Sequence, residues 1–523
     1  MASDPLISSE YWTNIQITQQ DVEFLHNYLF EHETPLTARE LVPVFIEERI
    51  RAERLALKNR REVGGKTYFP KEVYQVGDDV IFPALDWKHG KVTAVRPGAN
   101  PEIGPFDVLA VDLDGDAERL FASSLSAHAL NDLPVIAQED EINIDAIQRD
   151  YGTSLEKKIE AAFHADEEIV RIAGRWFPRA LLIDVNVGHL NLAEAVLDMS
   201  GGEPLPTSAL LQDVSLPEGI NPRLAEFSLN FALQEDERFD EVGPAGQVLW
   251  CLRRLEPQEV REVPLYLEYF PIEYDRSVLD PQMLDLEARL DDELSELNLS
   301  SNAEYREVTI SLIFPHLRAG TLPLSARVRS LFPTAYESAR VRFTLVDGRT
   351  KKKMPGWVVR EHGYVYGLRD WYKANELMPG SLIRIQRSEN PGEVIIEAKT
   401  YRATKDWVRT VIVGADGGLV FAMLKQPISA EFNDRMAFAV PSMEAVDRLW
   451  LQNNQGPFER LVAEMIREMS KLTTQGHVHA QELYSAVNIV RRVPPAPLFA
   501  LLSGSPEFIH VGDLHFRLGE LER

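Results

Sequence analysis

Residues 341–360 read Val341-Arg-Phe-Thr-Leu-Val-Asp-Gly-Arg-Thr-Lys-Lys-Lys-Met-Pro-Gly-Trp-Val-Val-Arg360. Apolar and polar side chains alternate over residues 341–346, which is typical of a strand with one buried face. The Asp-Gly pair at 347–348 favours a tight turn, because both residue types tolerate turn backbone conformations. We therefore predict a β-hairpin whose second strand contains Lys351-Lys352-Lys353 and Trp357-Val-Val-Arg360.

The flanking sequence extends this hairpin into a larger β structure. Upstream, residues 320–323 read Gly-Thr-Leu-Pro and predict a strand that meets a short helix carrying Arg327 and Arg329. Downstream, Gly363-Tyr-Val-Tyr-Gly367 precedes a predicted helix over residues 368–375 and a strand that begins at Ser381. These patterns predict that the hairpin belongs to a larger set of strands that also contains a short helix.

Charge separates this region from the remainder of the chain. The whole sequence has a formal net charge of −26, yet residues 318–409 contain 18 lysines and arginines against 9 acidic residues. The segment is therefore +9 and the remainder −35. Since lysine and arginine drive phosphate binding, this segment is the best candidate in the chain for contact with nucleic acid.

Three marks of the segment resemble the plant-type B-three DNA-binding pseudobarrel and its relative, the N-terminal effector domain of a type II restriction enzyme. They are Leu322-Pro323, the Asp-Gly hairpin, and the run from Trp371 through Asn375-Glu-Leu377 to Gly380. The resemblance covers about 80 residues and implies that residues 313–455 hold a β-pseudobarrel and a following β/α segment. It implies that two loop arms, placed here near residues 318–329 and 357–363, grip the major groove.

The resemblance and the charge together define a predicted DNA-binding set. Arginine can pair bidentately with guanine, and lysine adds attraction to phosphate. The alternative interpretation is a solvated basic face that only balances the acidic remainder. The predicted contacts to double-stranded DNA come from Arg318, Arg327, Arg329, Lys351, Lys352, Lys353, Trp357, Arg360 and Arg369.

A second layout recurs along the chain: helix, turn, helix, third helix, then two short strands around a glycine turn. It is clearest over residues 184–270 and 456–523, with further copies predicted at 1–66 and 131–183. In the stretch 456–523, the first two helices are predicted over residues 458–470 and 480–487. Three helices closed by a two-stranded wing form a winged helix. The copies resemble HARE-type helix-turn-helix domains. Val170, Val242 and Val511 are expected at equivalent buried positions of the wings.

The predicted fold class is therefore α+β and multi-domain. Residues 67–130 alternate in short stretches separated by Gly, Pro and Asp turns, which predicts a small β-barrel similar to Tudor or KOW-like modules. Residues 271–312 are acidic and are interpreted as a connector with one amphipathic helix near 284–294.

Several function classes lack their usual signals. The single cysteine, Cys251, excludes an intramolecular disulfide and a cysteine-based zinc site and fits a reducing compartment. The first residues lack a signal-peptide pattern, and no apolar run reaches membrane-spanning length. No catalytic or dinucleotide motif is present. We expect a cytoplasmic protein, free or associated with the nucleoid, with no enzyme activity, no cofactor, no metal and no membrane partner.

The sequence favours a DNA-binding regulator or genome-defence factor, with acidic winged-helix modules that recruit protein partners. Two alternatives stay open. One is a non-catalytic adaptor that binds proteins of the transcription machinery. The other is the recognition subunit of a restriction-type system whose nuclease is a separate chain.

Overall fold

The computed structural model describes residues 9–62, 65–85, 88–100, 103–113, 118–131, 143–217, 219–297, 305–414, 418–453 and 456–519. It is a mixed α and β protein that divides into two compact units. The first unit comprises Met1–Leu182 with Asn221–Leu224, and the second comprises Ile183–Ile220 with Ala225–Arg523. Across the described ranges, no helix combines the length and apolar character that a membrane crossing requires.

The first unit contains a three-stranded sheet and a five-stranded sheet. Its elements in chain order are α1 (Ser9–Asn14), α2 (Gln19–His32), β1 (Leu36–Thr37), α3 (Ala38–Glu62), β2 (Lys66–Thr67), β3 (Asp79–Phe82), β4 (Lys88–Pro97), β5 (Asp107–Leu113), β6 (Arg119–Ser123), α4 (Ile144–His164), β7 (Ile169–Ile172) and β8 (Arg175–Pro178).

The two winged-helix-like domains predicted at 1–66 and 131–183 share one sheet in the structure. Strand β1 pairs with β8, so that Leu36 lies opposite Trp176, and β8 pairs in turn with β7. Strand pairing therefore joins two stretches that were predicted as separate domains. Helices α2, α3 and α4 with β1, β7 and β8 form one module, called here the first three-helix module. The stretch predicted as the small β-barrel is inserted into it as the sheet β2-β3-β4-β5-β6.

The second unit begins with a module of the same order, the second three-helix module. Its buried asparagine, Asn230, accepts hydrogen bonds from Thr207 and from Trp250 Nε1, the latter at 2.8 Å, which ties helix to sheet. Its elements are α5 (Val187–Met199), β9 (Leu205–Pro206), α6 (Thr207–Leu210), α7 (Pro222–Gln234), β10 (Phe239–Glu241) and β11 (Leu249–Leu252). Helix α8 (Gln258–Arg261) follows the module, and the connector contains α9 (Pro281–Leu290).

The region from 307 to 453, which includes the basic segment, contains a seven-stranded sheet in the order β12-β17-β18-β14-β15-β16-β13 and a three-stranded sheet in the order β20-β19-β21. Its elements are β12 (Glu307–Ser311), α10 (Phe314–Ala319), β13 (Thr321–Pro323), β14 (Arg340–Asp347), β15 (Lys353–Val359), β16 (Tyr364–Tyr366), α11 (Arg369–Ala374), β17 (Leu382–Arg387), β18 (Glu393–Ala398), β19 (Thr400–Val413), β20 (Leu419–Ala430), β21 (Phe438–Ala439) and α12 (Met443–Asn453).

The hairpin predicted at Asp347–Gly348 is confirmed. Strands β14 and β15 pair antiparallel, with Val346 opposite Lys353 at the turn. The predicted helix after residue 367 is also present as α11, and its Trp371 and Tyr372 are buried in the core of the sheet. In this stretch the alternation of side chains, the turn residues and the burial of aromatic rings all favour the same structure, so these elements could be predicted from local sequence.

The chain ends with the third three-helix module. Two of its helices have the predicted bounds, α13 (Phe458–Ser470) and α14 (Ala480–Val487). The other elements are β22 (Val478–His479), α15 (Pro495–Gly504), β23 (Phe508–Gly512) and β24 (His515–Leu518).

The small sheets of the three modules pair their strands in the same way. A short strand before the second helix pairs with the last strand of the module, and a buried aromatic residue marks each pairing. The pairs are Leu36 with Trp176, Leu205 with Trp250, and Val478 with Phe516. The aromatic partners are at most 1 % exposed, so each sheet is closed around one large apolar side chain.

The expected equivalence of Val170, Val242 and Val511 is wrong. Val242 is buried, but Val170 is half-buried and Val511 is 44 % exposed. Val170 loses the inward position to its neighbour Ile169, since successive strand residues face opposite sides. Val511 turns outward because the ladder between β23 and β24 shifts register between His510 and Gly512.

Candidate nucleic-acid interface

The two loops predicted to be DNA-gripping arms lie side by side. The backbone N–H of Leu324 in the first arm donates to the carbonyl oxygen of Gly363 in the second at 2.7 Å. Strand β13, which lies within the first arm, also pairs with β16, which directly follows the second arm, at one edge of the seven-stranded sheet. The structure therefore brings these two stretches together.

The acidic connector covers the first arm. Asp291, which follows α9, forms an ion pair with Arg327 at 3.1 Å and accepts a hydrogen bond from Ser325 Oγ at 2.6 Å. The Arg327 guanidinium also donates to the carbonyl oxygen of Arg289 at 3.1 Å. Because the side chain of Asp291 is only 1 % exposed, the charge of Arg327 is neutralised within the chain.

The second three-helix module covers the second arm. Trp357 is 4 % exposed and packs in a cluster with Val242 and Cys251. The backbone N–H of Arg342 donates to the Val242 carbonyl at 2.7 Å, and the Arg342 guanidinium lies 5.5 Å from the Trp357 ring centroid. Trp357 therefore stabilises the junction with this module and does not face solvent as a DNA contact would.

Two further predicted contacts are held by distant carboxylates. Arg318 forms an ion pair with Asp447 at 2.7 Å, and Arg369 forms one with Glu259 at 2.8 Å. Partial burial acts to raise the pKa of Asp447, but hydrogen bonds from Arg318 and Tyr266 hold it below its usual value. Both arginines therefore link the sheet region to other parts of the same unit.

The other five predicted residues are all exposed, and one of them forms an ion pair. Lys353 pairs with Glu393 at 2.5 Å. Arg360 donates from Nη1 to the carbonyl oxygen of Ser338 at 2.7 Å. The side chains without an ion pair inside the described ranges are those of Arg329, Lys351, Lys352 and Arg360.

Lys351 and Lys352 belong to a larger group of exposed cations. Arg349 lies in the same turn, and its Nη1 donates to Thr400 Oγ1 at 2.5 Å, which joins the turn to the start of β19. In the part of the chain that the structure describes, none of these side chains has a carboxylate partner. The group, called here the cationic patch, consists of Arg349, Lys351, Lys352, Arg402 and Lys405.

Asp347 fixes the turn of the cationic patch. Its carboxylate accepts hydrogen bonds from the backbone N–H groups of Arg349 at 2.9 Å and Thr350 at 2.6 Å, and from Trp371 Nε1 at 2.6 Å. Burial acts to raise the pKa of Asp347, but these hydrogen bonds outweigh it and hold the pKa low. The lysines therefore project from an anchored turn, which reduces the ordering entropy that binding would cost.

Sequence reasoning did not single out Arg349, Arg402 or Lys405. A local signal was present, since residues 399–407 read Lys-Thr-Tyr-Arg-Ala-Thr-Lys-Asp-Trp, three cations with two interleaved aromatic residues. Strand β19 carries these residues and pairs with β20 along nearly its whole length. Its first half is exposed, from Tyr401 to Trp407.

A buried carboxyl group lies where the second three-helix module meets β14. The side chain of Glu256 is fully buried, 3.5 Å from Arg340 Nη1, and Arg340 also pairs with Asp240. Burial, together with the charge of Asp240, raises the pKa of Glu256 to about 8. Burial therefore favours the protonated form of Glu256 in the folded protein, and the bound proton keeps the contact free of an unpaired charge.

We expect this carboxyl group to make stability depend on pH. Its pKa is higher in the folded than in the unfolded state, so its stabilising contribution is complete below about pH 4.5 and is lost as the pH rises through about 8. Glu256→Gln cannot titrate. Wild-type melting temperature should therefore fall relative to Glu256→Gln over that window in calorimetric scans, and parallel curves would contradict the expectation.

No metal site accompanies this interface: among the described residues, no group of three or more His, Cys, Asp or Glu side chains could hold an ion. Comparisons of the chain with protein-family models, curated proteins and solved structures found no match to any of them.

Proposed function

We propose that this protein binds double-stranded DNA through the cationic patch and serves as a regulator or genome-defence factor. The observation that carries the proposal is the concentration, on one turn and the adjoining strand, of exposed cations that have no carboxylate partner among the described residues. In a chain of net charge −26, such cations would ordinarily be neutralised by nearby acid. Phosphate is the ligand that this arrangement suits.

The location of the proposed contact differs from that implied by the B-three resemblance. Both arms are packed against other parts of the unit, through Asp291 on one side and the Trp357 cluster on the other. A duplex could reach Arg327 and Trp357 only if these contacts opened. The cationic patch needs no such opening, since its side chains are already exposed.

We further propose that the three-helix modules are winged helices that hold the protein together or dock partners. Their order of helices and strands, with the shared register of their small sheets, supports this assignment. A winged helix that reads DNA presents its recognition helix to the major groove. In the third module the corresponding helix α15 is almost entirely buried, which favours a structural or protein-docking role there.

The full-length chain and a duplex of about 30 base pairs test the proposal. Binding should be measurable by fluorescence anisotropy at about 50 mM salt and should weaken on the order of a thousandfold at about 200 mM if five or six phosphates are contacted. Absence of binding at the lower salt concentration would contradict the proposal. The strongly acidic remainder of the chain would then favour the protein adaptor, for which no salt-dependent duplex binding is expected.

A further inference from the structure

Trp407 is an exposed aromatic side chain directly beyond the cationic patch. Trp407 is 57 % exposed, although tryptophan is among the more deeply buried residue types in folded proteins. It lies on β19, two positions after Lys405, so both side chains face the same side of the strand. The indole ring therefore exposes apolar surface to solvent. The cations of the patch beside it could hold a charged ligand.

The opposite strand orients this indole ring. Lys425 on β20 lies directly across from Trp407 in the strand register, and its ammonium is 5.4 Å from the ring centroid. This cation–π contact occupies one face of the ring. Because Trp407 is more than half exposed, ring surface remains for a planar partner, and Lys425 adds a second cation beside it.

Pairing of β20 with a strand from another molecule could also cover this surface. Strand β20 is at the edge of its sheet, and Met423 and Leu424 are exposed on it. However, the segment beside Trp407 contains Lys425 and Pro427, and both charge and proline at an edge oppose strand addition. The positive charge also complements phosphate and disfavours a second copy of the same surface.

We propose that Trp407 stacks on an unpaired base of a DNA strand whose phosphates lie on the cationic patch. This inference rests on the proposed DNA binding and specifies its substrate: duplex DNA with an adjoining single-stranded stretch. Bases inside an intact duplex are stacked on each other and offer no free face, whereas an unpaired base does. The cations hold the backbone of either substrate, and the indole discriminates between them.

The experiment compares two DNA probes with equal numbers of phosphates, a blunt duplex and a duplex with a single-stranded tail. Wild-type protein should bind the tailed probe about tenfold more tightly. Trp407→Leu, which keeps an apolar side chain but removes the ring, should lose that preference and bind the blunt duplex as wild type does. Trp407→Phe should retain most of the preference, because it keeps an aromatic face.

The outcomes separate this inference from the proposed function. If wild-type protein binds the blunt duplex and Trp407→Leu leaves tailed-probe affinity unchanged, stacking is overturned while duplex binding stands. If neither probe binds wild-type protein, both proposals fail. Sedimentation at several concentrations supplies the remaining control, since a dimer that Trp407→Leu dissociates would assign this surface to a second copy and overturn the stacking proposal.

Discussion

Replacing Arg492 with methionine is expected to lower the free energy of unfolding by about 3–5 kcal/mol. The side chain of Arg492 is completely buried and forms ion pairs with Asp292 at 2.6 Å and with Glu293 at 2.7 Å. Its Nη1 also donates to Asn488 Oδ1 at 3.2 Å. The substitution leaves two carboxylates without their cation in the interior, and this uncompensated charge accounts for most of the loss.

Urea denaturation followed by tryptophan fluorescence measures the effect, with Arg460→Met as the matched control. Arg460 pairs with Glu464 four residues along the same helix, but its side chain is 77 % exposed, so its loss should cost no more than about 0.5 kcal/mol. Equal unfolding midpoints for the two variants would show that the buried ion cluster does not hold the connector to the third three-helix module.

Neutralising Lys351 and Lys352 together, as Lys351→Gln/Lys352→Gln, should weaken duplex binding about 50-fold at about 0.1 M salt. Removal of one lysine–phosphate pair takes away a counterion-release contribution of about tenfold at this salt concentration. The slope of log K against log salt should become shallower by about 2. Sequence preference should stay the same, since interactions with phosphate carry no base information.

The matched control removes two exposed cations from the predicted arms, as Arg329→Gln/Arg360→Gln. Both variants remove two positive charges from the same region, so nonspecific attraction falls equally. With DNA on the cationic patch, the arm variant should retain its affinity within about threefold, because Arg329 and Arg360 lie outside the patch. A larger decrease in the affinity of the arm variant, accompanied by relaxed sequence preference, would place the duplex on the arms and contradict the patch.

Local sequence patterns determined much of the secondary structure. The Asp-Gly turn at 347–348 and the bounds of α13 and α14 follow from residues close together in the chain. The contrast between the basic segment and its acidic surroundings was equally visible in the sequence. These features could be predicted because turn chemistry, helical periodicity and charge counts depend on neighbours within a few residues.

Only the tertiary structure decided which charged residues and which strands far apart in the chain pair with each other. Arg318 and Arg369 resemble free DNA-binding arginines in the sequence, yet they pair with carboxylates 129 and 110 residues away. The first three-helix module closes through β1 and β8, on either side of an inserted sheet. The sequence shows how many charged residues and strand-forming stretches are present. Only folding brings those that are distant in the chain within a few ångströms of each other, where ion pairs and strand-to-strand hydrogen bonds form.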